Sequence, residues 1–230
     1  MEQRDILSIG KARPFRLTRD EIARSLALGH DPRGRSDSAL EAMIDGGAVR
    51  PGGRVEPEGD LMAAAVLVPL VERPGGLTVM LTKRTAHLAH HPGQISFPGG
   101  RLEPEDHGDL LACALRETTE EVGLAAGLVR VLGHLDDYVT GTGFIVTPVV
   151  GVIEPPFTLA PDSFEVAEVF EVPLDFVLDQ ANHQLQRREV RGIQRPFWAM
   201  TWENRLIWGA TAGILVNLSE VLAFRGSGAS

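Results

Sequence analysis

Twenty-four consecutive residues, Arg101 to Leu124, hold seven carboxylates (Glu103, Glu105, Asp106, Asp109, Glu117, Glu120 and Glu121) against two basic side chains, Arg101 and Arg116. That stretch carries −5 of the chain's formal −9. Like charges this dense destabilise a folded segment unless water, basic neighbours or a cation offset them. The second half of the stretch also reads as an amphipathic helix. At about 100° per residue, Leu110, Leu111, Ala114, Leu115, Thr118 and Val122 share one arc of roughly 140°. Any fold must bury that arc while Glu117, Glu120 and Glu121, at i, i+3 and i+4, stand along its edge. Hard divalent cations such as Mg²⁺ favour oxygen ligands of this kind and would relieve the repulsion while binding phosphate. A solvated helix face, with Arg116 paired to Glu120 at i, i+4, is the plainer alternative.

Composition narrows the class. A chain of 230 residues, 43% hydrophobic and 23% charged, suits one globular domain of ordinary size with a real core. Its 22 Lys and Arg against 31 Asp and Glu argue against a nucleic-acid partner. No apolar run approaches the roughly 20 residues that span a bilayer, and the opening MEQRDILSIGKARPF lacks a signal peptide's apolar stretch. The expectation is a cytoplasmic protein with no membrane partner. Cys113 is the single cysteine, which excludes an internal disulfide and an all-cysteine zinc site and leaves oxygen or imidazole as metal ligands. Its position one turn before Glu117 reads as a small packing residue.

Along the chain, residues 1–57 read as a helical extension. Thr18 and Glu21 form a capping-box pattern before IARSLALG, and Ser36 or Asp37 could start a helix over SALEAMIDGG. The main domain is expected over 58–224, with 225–230 a disordered tail. MAAAVLVPLVE and LTVMLTKR read as buried strands around the Pro74-Gly75-Gly76 turn. Residues 86–106 read as a functional loop with a short strand around Gln94 to Phe97. The acidic helix is expected over about His107 to Val122, with Asp106 as N-cap and Gly123 as its stop. Strands are expected in VRVLGHLDDYV, GFIVTPVVGVI and EVAEVFEVP, a short helix in PLDFVLDQ, and a hairpin in RPFWAMTWENRLIWG turning near Glu203-Asn204. A last helix runs from about Gly209 to Ala223. Trp198, Trp202 and Trp208 could stack a base, but aromatic residues in a strand pair are more often core, so they stay outside the expected site.

Phe97-Pro98-Gly99-Gly100 followed by RETTEEVGL, residues 116–124, resembles the Nudix box of the Nudix hydrolases. The match is clean over Arg116 to Leu124, with Thr118 at a position that is usually apolar. Sixteen positions separate Gly100 from Arg116 where the usual pattern has fourteen, and the box's upstream glutamate has only an approximate counterpart in Asp106 or Glu105. LTKRTAHLAHHPGQISFPGG, residues 81–100, is similar to the signature preceding the box in the coenzyme A pyrophosphatase branch. Leu81, Thr82, Arg84, Leu88, His91, Gly93, Gln94, Phe97, Pro98, Gly99 and Gly100 fit without a gap, and Thr85 replaces the usual serine. VTPVVG at 146–151 and IWGATA at 207–212 also look like this branch, so the resemblance covers most of residues 61–223.

The resemblance implies an α/β/α sandwich around a mixed sheet and metal-dependent hydrolysis of a nucleoside diphosphate derivative. For the coenzyme A branch it implies cleavage of CoA, or a CoA derivative, to 3′,5′-ADP and 4′-phosphopantetheine. It implies Mg²⁺ or Mn²⁺ on Glu117, Glu121 and Glu120, with Glu120 as ligand or general base and Arg116 orienting the glutamates. Arg84 can give phosphate a planar bidentate contact, and His91 and Gln94 add donors from the same loop. Gly99 and Gly100 would let backbone amides approach an anion, or merely make a tight turn. His87, His90 and His91 would otherwise read as structural or surface residues. Glu165 and Glu168 are secondary candidates for a distal ligand or base, against the plainer reading of solvated strand-edge carboxylates. NADH or ADP-ribose as substrate, and a nucleotide-sensing domain without catalysis, are the competing readings. A homodimer is expected only because such assemblies are common among soluble enzymes of this size.

Overall fold

The structure, a computed structural model, describes residues 17–28, 35–36, 61–88, 91–190 and 193–223. Its strands are β1 (Arg35–Ser36), β2 (Met62–Arg73), β3 (Gly76–Arg84), β4 (Ile95–Ser96), β5 (Gly99–Arg101), β6 (Val129–His134), β7 (Tyr138–Val139), β8 (Phe144–Ile153), β9 (Val166–Pro173), β10 (Gln184–Val190), β11 (Ile193–Trp202) and β12 (Arg205–Trp208). Its α-helices are α1 (Arg19–Leu28), α2 (Leu110–Val122), α3 (Leu174–Leu178) and α4 (Ala210–Ala223).

β2 is the spine of the larger sheet. Its alternation sends Ala64, Val68 and Leu70 to one face and Ala65, Leu67 and Val71 to the other, and all six are buried. A strand covered on both faces accounts for the near-continuous apolar run MAAAVLVPLVE. β8 pairs with β2 in parallel, from Met62 opposite Phe144 to Val71 opposite Ile153, while β3 and β5 pair with it antiparallel. The described strands give a mixed sheet in the order β1-β7-β8-β2-β3-β4, with β5 on β2, β6 on β8 and β9 on β3. β10, β11 and β12 form a second, antiparallel sheet.

Helices cover both faces of the larger sheet. Cys113, Ala114 and Val122 of α2 pack on one face against Ala65, Leu67, Val71, Met80, Val149 and Ile153. α1, α3 and α4 pack on the other around Val68, Leu70, Val79, Leu81 and Val150. The expected α/β/α arrangement is what the chain forms. Burying each aliphatic side chain in these two cores contributes roughly 1.5–3 kcal/mol.

The capping box at α1 is present: the Thr18 amide donates to Glu21 Oε2 at 2.8 Å and the Glu21 amide to Thr18 Oγ1 at 3.3 Å. Ile22 and Leu26 are fully buried and join α1 to the main core. Ser36 lies in β1, opposite Val139, and the rest of the helix expected over SALEAMIDGG lies outside the described residues, as do His90 and the 225–230 tail. Three expectations need correction. The acidic helix starts at Leu110 with Asp109 as its N-cap, not Asp106, because the Asp109 carboxylate accepts from the Leu111 and Ala112 amides at 2.9 and 3.2 Å. β5, Gly99–Arg101, continues a segment expected to be loop, and β10 was not expected at all.

Candidate active site

Burial of one α2 face leaves its carboxylates at the sheet's edge, and Arg116 organises them. Its Nε and Nη2 each donate to Asp106 at 2.9 Å, and Nη1 donates to Glu117 at 2.9 Å and to Glu120 at 3.0 Å. The buried Asp106 is thereby held well below the usual carboxylate range, chiefly by its hydrogen bonds from Arg116. A 3-10 turn, Pro104–Asp106, followed by left-handed His107 and Gly108, brings Asp106 back over the helix.

Glu121 points the opposite way, inward, and its side chain is only 7% exposed. It accepts from the Gly99 amide at 3.2 Å and lies 3.5 Å from Arg84 Nη1. Burial outweighs both donors and pushes its carboxyl up to about 7. Glu117 is pushed up in the same direction, again first by burial, against the Arg116 contact. Glu120 is exposed, with a side chain 59% accessible. The glycine pair makes room for these groups. A methyl at Gly100 would lie 2.4 Å from the Glu117 carboxyl carbon, and one at Gly99, where φ is +150°, would lie 2.5 Å from Ala65 O and Val66 Cα.

Opposite the glycines, a register shift in the β3–β9 pairing falls between Lys83 and Arg84, and it aims Arg84 toward Glu121. The segment beyond it is tied down at both ends: the Thr85 amide donates to the Glu165 carbonyl, Thr85 Oγ1 to the Phe164 carbonyl, and the Arg84 amide to the Gln94 carbonyl. The Asp162 amide in turn donates to the Glu121 carbonyl, so the loop before β9 closes against the end of α2. Glu165 is near enough to push the Glu117 and Glu121 carboxyls upward. Glu168 is not part of this group, because Arg205 donates to it at 2.6 Å.

A cavity of about 570 Å³ opens beside Gly99 and Gly100. Arg84, His91 and Gln94 line one side, Val66, Phe97, Phe144 and Val146 the floor, and Arg188, Arg195, Phe197 and Trp208 the outer wall. In a chain of net charge −9, its described lining holds four arginines and no Asp or Glu.

Residues 60–192 match the family model of the NUDIX domain. The chain is 42% identical over 158 residues, 68% of its length and 80% of the relative's, to the uncharacterised Nudix hydrolase NudL of Enterobacter sp. (strain 638). It is 39% identical over 157 residues, 68% of its length and 78% of the relative's, to NudL of Yersinia pestis (strain Pestoides F). This chain belongs to the Nudix family. Among solved structures, a Nudix hydrolase from M. smegmatis, RenU, is 26% identical with a TM-score of 0.44, covering 54% of this chain and 84% of that one.

As a Nudix hydrolase the protein acts on pyrophosphate bonds, and members of the family generally use divalent metal ions. The geometry gathers Arg84, His91, Gln94, Gly99 and Gly100 around one cavity, with Glu117 and Glu121 immediately behind the two glycines. Glu117, Glu120 and Glu121 do not converge, and among the described residues no three acidic, histidine or cysteine side chains form a closed cluster. The donor set nevertheless fits a hard cation. Glu117 and Glu121 offer carboxylate oxygens beside the two glycines, the ligand type a hard divalent ion takes, and burial pushes both carboxyls upward. The expected amide approach to an anion takes another form here, since the Gly99 amide is directed at Glu121.

The Trp residues divide. Trp198 and Trp202 pack on the core, whereas Trp208 lines the cavity, contrary to the expectation that all three lie outside the site. Strand alternation was the available signal, but it needs the β11–β12 register, in which Trp208 stands opposite Ala199. Cys113 is fully buried among core residues, and burial pushes its thiol up to about 11, so it is inert packing.

Proposed function

We propose that the protein hydrolyses the pyrophosphate bond of coenzyme A, or of a CoA derivative, releasing 3′,5′-ADP and 4′-phosphopantetheine or its derivative. One observation carries this reading. The segment that resembles the coenzyme A branch signature, residues 81–100, forms a wall of the cavity through Arg84, His91, Gln94, Phe97, Gly99 and Gly100, directly against the box carboxylates. Glu117 and Glu121 would hold Mg²⁺ or Mn²⁺, with the outward-turned Glu120 as the base, and the bound ion would neutralise charge on the pyrophosphate and lower the pKa of a bound water.

The chain's own groups do the rest. Arg84 holds a phosphate oxygen pair with its planar guanidinium, and Arg101, at the end of β5, faces the same cavity. Arg116 fixes Glu117 and Glu120 in one orientation, and the exposed Glu120, whose other oxygen stays open to solvent, takes the proton of the attacking water. The apolar floor keeps bulk water from the bond and strengthens each charge contact.

Incubating purified protein with Mg²⁺ or Mn²⁺ and, separately, CoA, NADH and ADP-ribose tests this, with products resolved by chromatography. Release of 3′,5′-ADP and phosphopantetheine in preference to cleavage of the others is expected. Preferential cleavage of NADH or ADP-ribose would reject the substrate, and ligand binding without any product would reject catalysis.

A further inference from the structure

The outer wall of the cavity carries a charge arrangement that hydrolysis of the scissile bond does not use. Arg188 of β10 and Arg195 of β11 stand directly opposite each other in the antiparallel register, and both line the cavity. Like charges in directly opposed positions repel, so a strand pair does not place them there for its own stability. Nor does packing require them. The other face of the same sheet does the packing, with Met200 and Ile207 fully buried and Trp198 and Trp202 against the core. Among the described residues Arg188 has no carboxylate partner. Its guanidinium rests 4.9 Å from the centroid of Trp208, whose ring meets Phe197 edge-on at 5.8 Å. Two guanidiniums and two aromatic rings thus share one wall, facing a cavity whose described lining holds no acidic residue.

We propose that Arg188 and Arg195 form a second anion subsite, which recognises a phosphomonoester on the nucleotide away from the scissile pyrophosphate, with Trp208 and Phe197 flanking the bound nucleotide. The proposal rests on the pyrophosphatase reading in one respect: the pyrophosphate occupies the α2 side, beside Arg84, and leaves the β10–β11 wall to another phosphate. A phosphomonoester dianion matches two forked guanidiniums in charge and in geometry. The pair therefore determines specificity, selecting nucleotides with this extra phosphate over those without it.

Isothermal titration of adenosine 3′,5′-bisphosphate and of AMP into wild type, Arg188→Gln, Arg195→Gln and Arg188→Lys, with thermal melts to confirm folding, decides the matter. The wild type is expected to bind the bisphosphate about tenfold or more tightly than AMP. Either glutamine variant should bring the two within about threefold by weakening only the bisphosphate, and the lysine variant should fall between. Equal wild-type affinities, no measurable bisphosphate binding, a preference that survives in the variants, or equal loss for both ligands would overturn the assignment. Because the assay reads binding and not turnover, a failure of the CoA reading in the product assay leaves this result independent. Retained selectivity with no CoA cleavage would reject the substrate alone, and CoA cleavage without selectivity would reject the subsite alone.

Discussion

Replacing Gly100 with alanine isolates the position of one carboxylate. The added methyl would lie 2.4 Å from the Glu117 carboxyl carbon and 2.5 and 2.6 Å from its oxygens, where ordinary contact begins at 3.4 Å. The carboxyl must therefore move by about 1 Å, and a displacement of that size in a reacting constellation costs roughly 10²-fold in rate. The fold should lose little, because what moves is the end of a flexible side chain. An off-rotamer adjustment of about 0.5–1.5 kcal/mol translates to a Tm decrease of roughly 1–6 °C for a chain this long. Gly99→Ala is the contrasting control, since its methyl would meet Ala65 O and Val66 Cα at 2.5 Å, both backbone, at φ +150°. That variant should lose cooperative folding or precipitate. Steady-state kinetics and thermal melts of both variants check the pair. A Gly100→Ala rate within threefold of wild type, or a Tm loss as large as that of Gly99→Ala, would refute the argument that this glycine exists to seat Glu117.

Two further outcomes follow from the same carboxylates. Burial raises the folded-state pKa of Glu121 from 4.5 to about 7, so the folded chain retains a proton there that the unfolded chain has already lost. With chelator present, stability should fall as pH rises from about 4.5 to about 7, by on the order of 3 kcal/mol, and level off above that. Urea titrations across this range should show the slope in wild type and a clearly shallower one in Glu121→Gln, where Glu117 alone remains raised; an unchanged slope in the variant would reject the assignment. Arg116→Lys keeps the charge but cannot reach Asp106, Glu117 and Glu120 together, so kcat should fall about tenfold or more with KM little changed. A kinetic split showing only a KM change would place Arg116 on substrate instead.

Much of this fold was readable because burial writes a period into the chain. β2, β3, β8 and α2 each match an apolar run or arc that the packing uses, except that Leu111, expected on the buried arc of α2, is exposed. What escaped has specific causes. The segment PEDHGD offers two capping aspartates, and only the three-dimensional turn shows that Asp106 serves Arg116 while Asp109 caps. β5 is Gly-Gly-Arg and has no side-chain period to read, while β10, QLQRREV, is mostly polar because its described side chains are almost all exposed. At the site, the box glutamates and the Arg84 loop stood out by residue type and spacing. Their separate orientations did not, since i, i+3 and i+4 spacing places α-carbons on one arc but does not decide that Glu121 turns inward to Gly99 and Glu120 outward to water. Arg188 and Arg195 could not be paired without knowing the register of β10 on β11.

If α2 carboxylates seat a divalent cation for pyrophosphate hydrolysis, the initial rate of CoA cleavage from chelator to saturating Mg²⁺, in wild type and Glu117→Gln, shows it most directly. No turnover is expected with chelator, a saturable rise with Mg²⁺ in wild type, and a rate reduced by about 10²-fold or more in a variant that melts like wild type. Cleavage that persists in chelator, or a folded Glu117→Gln protein with near-normal rate at saturating Mg²⁺, would contradict it.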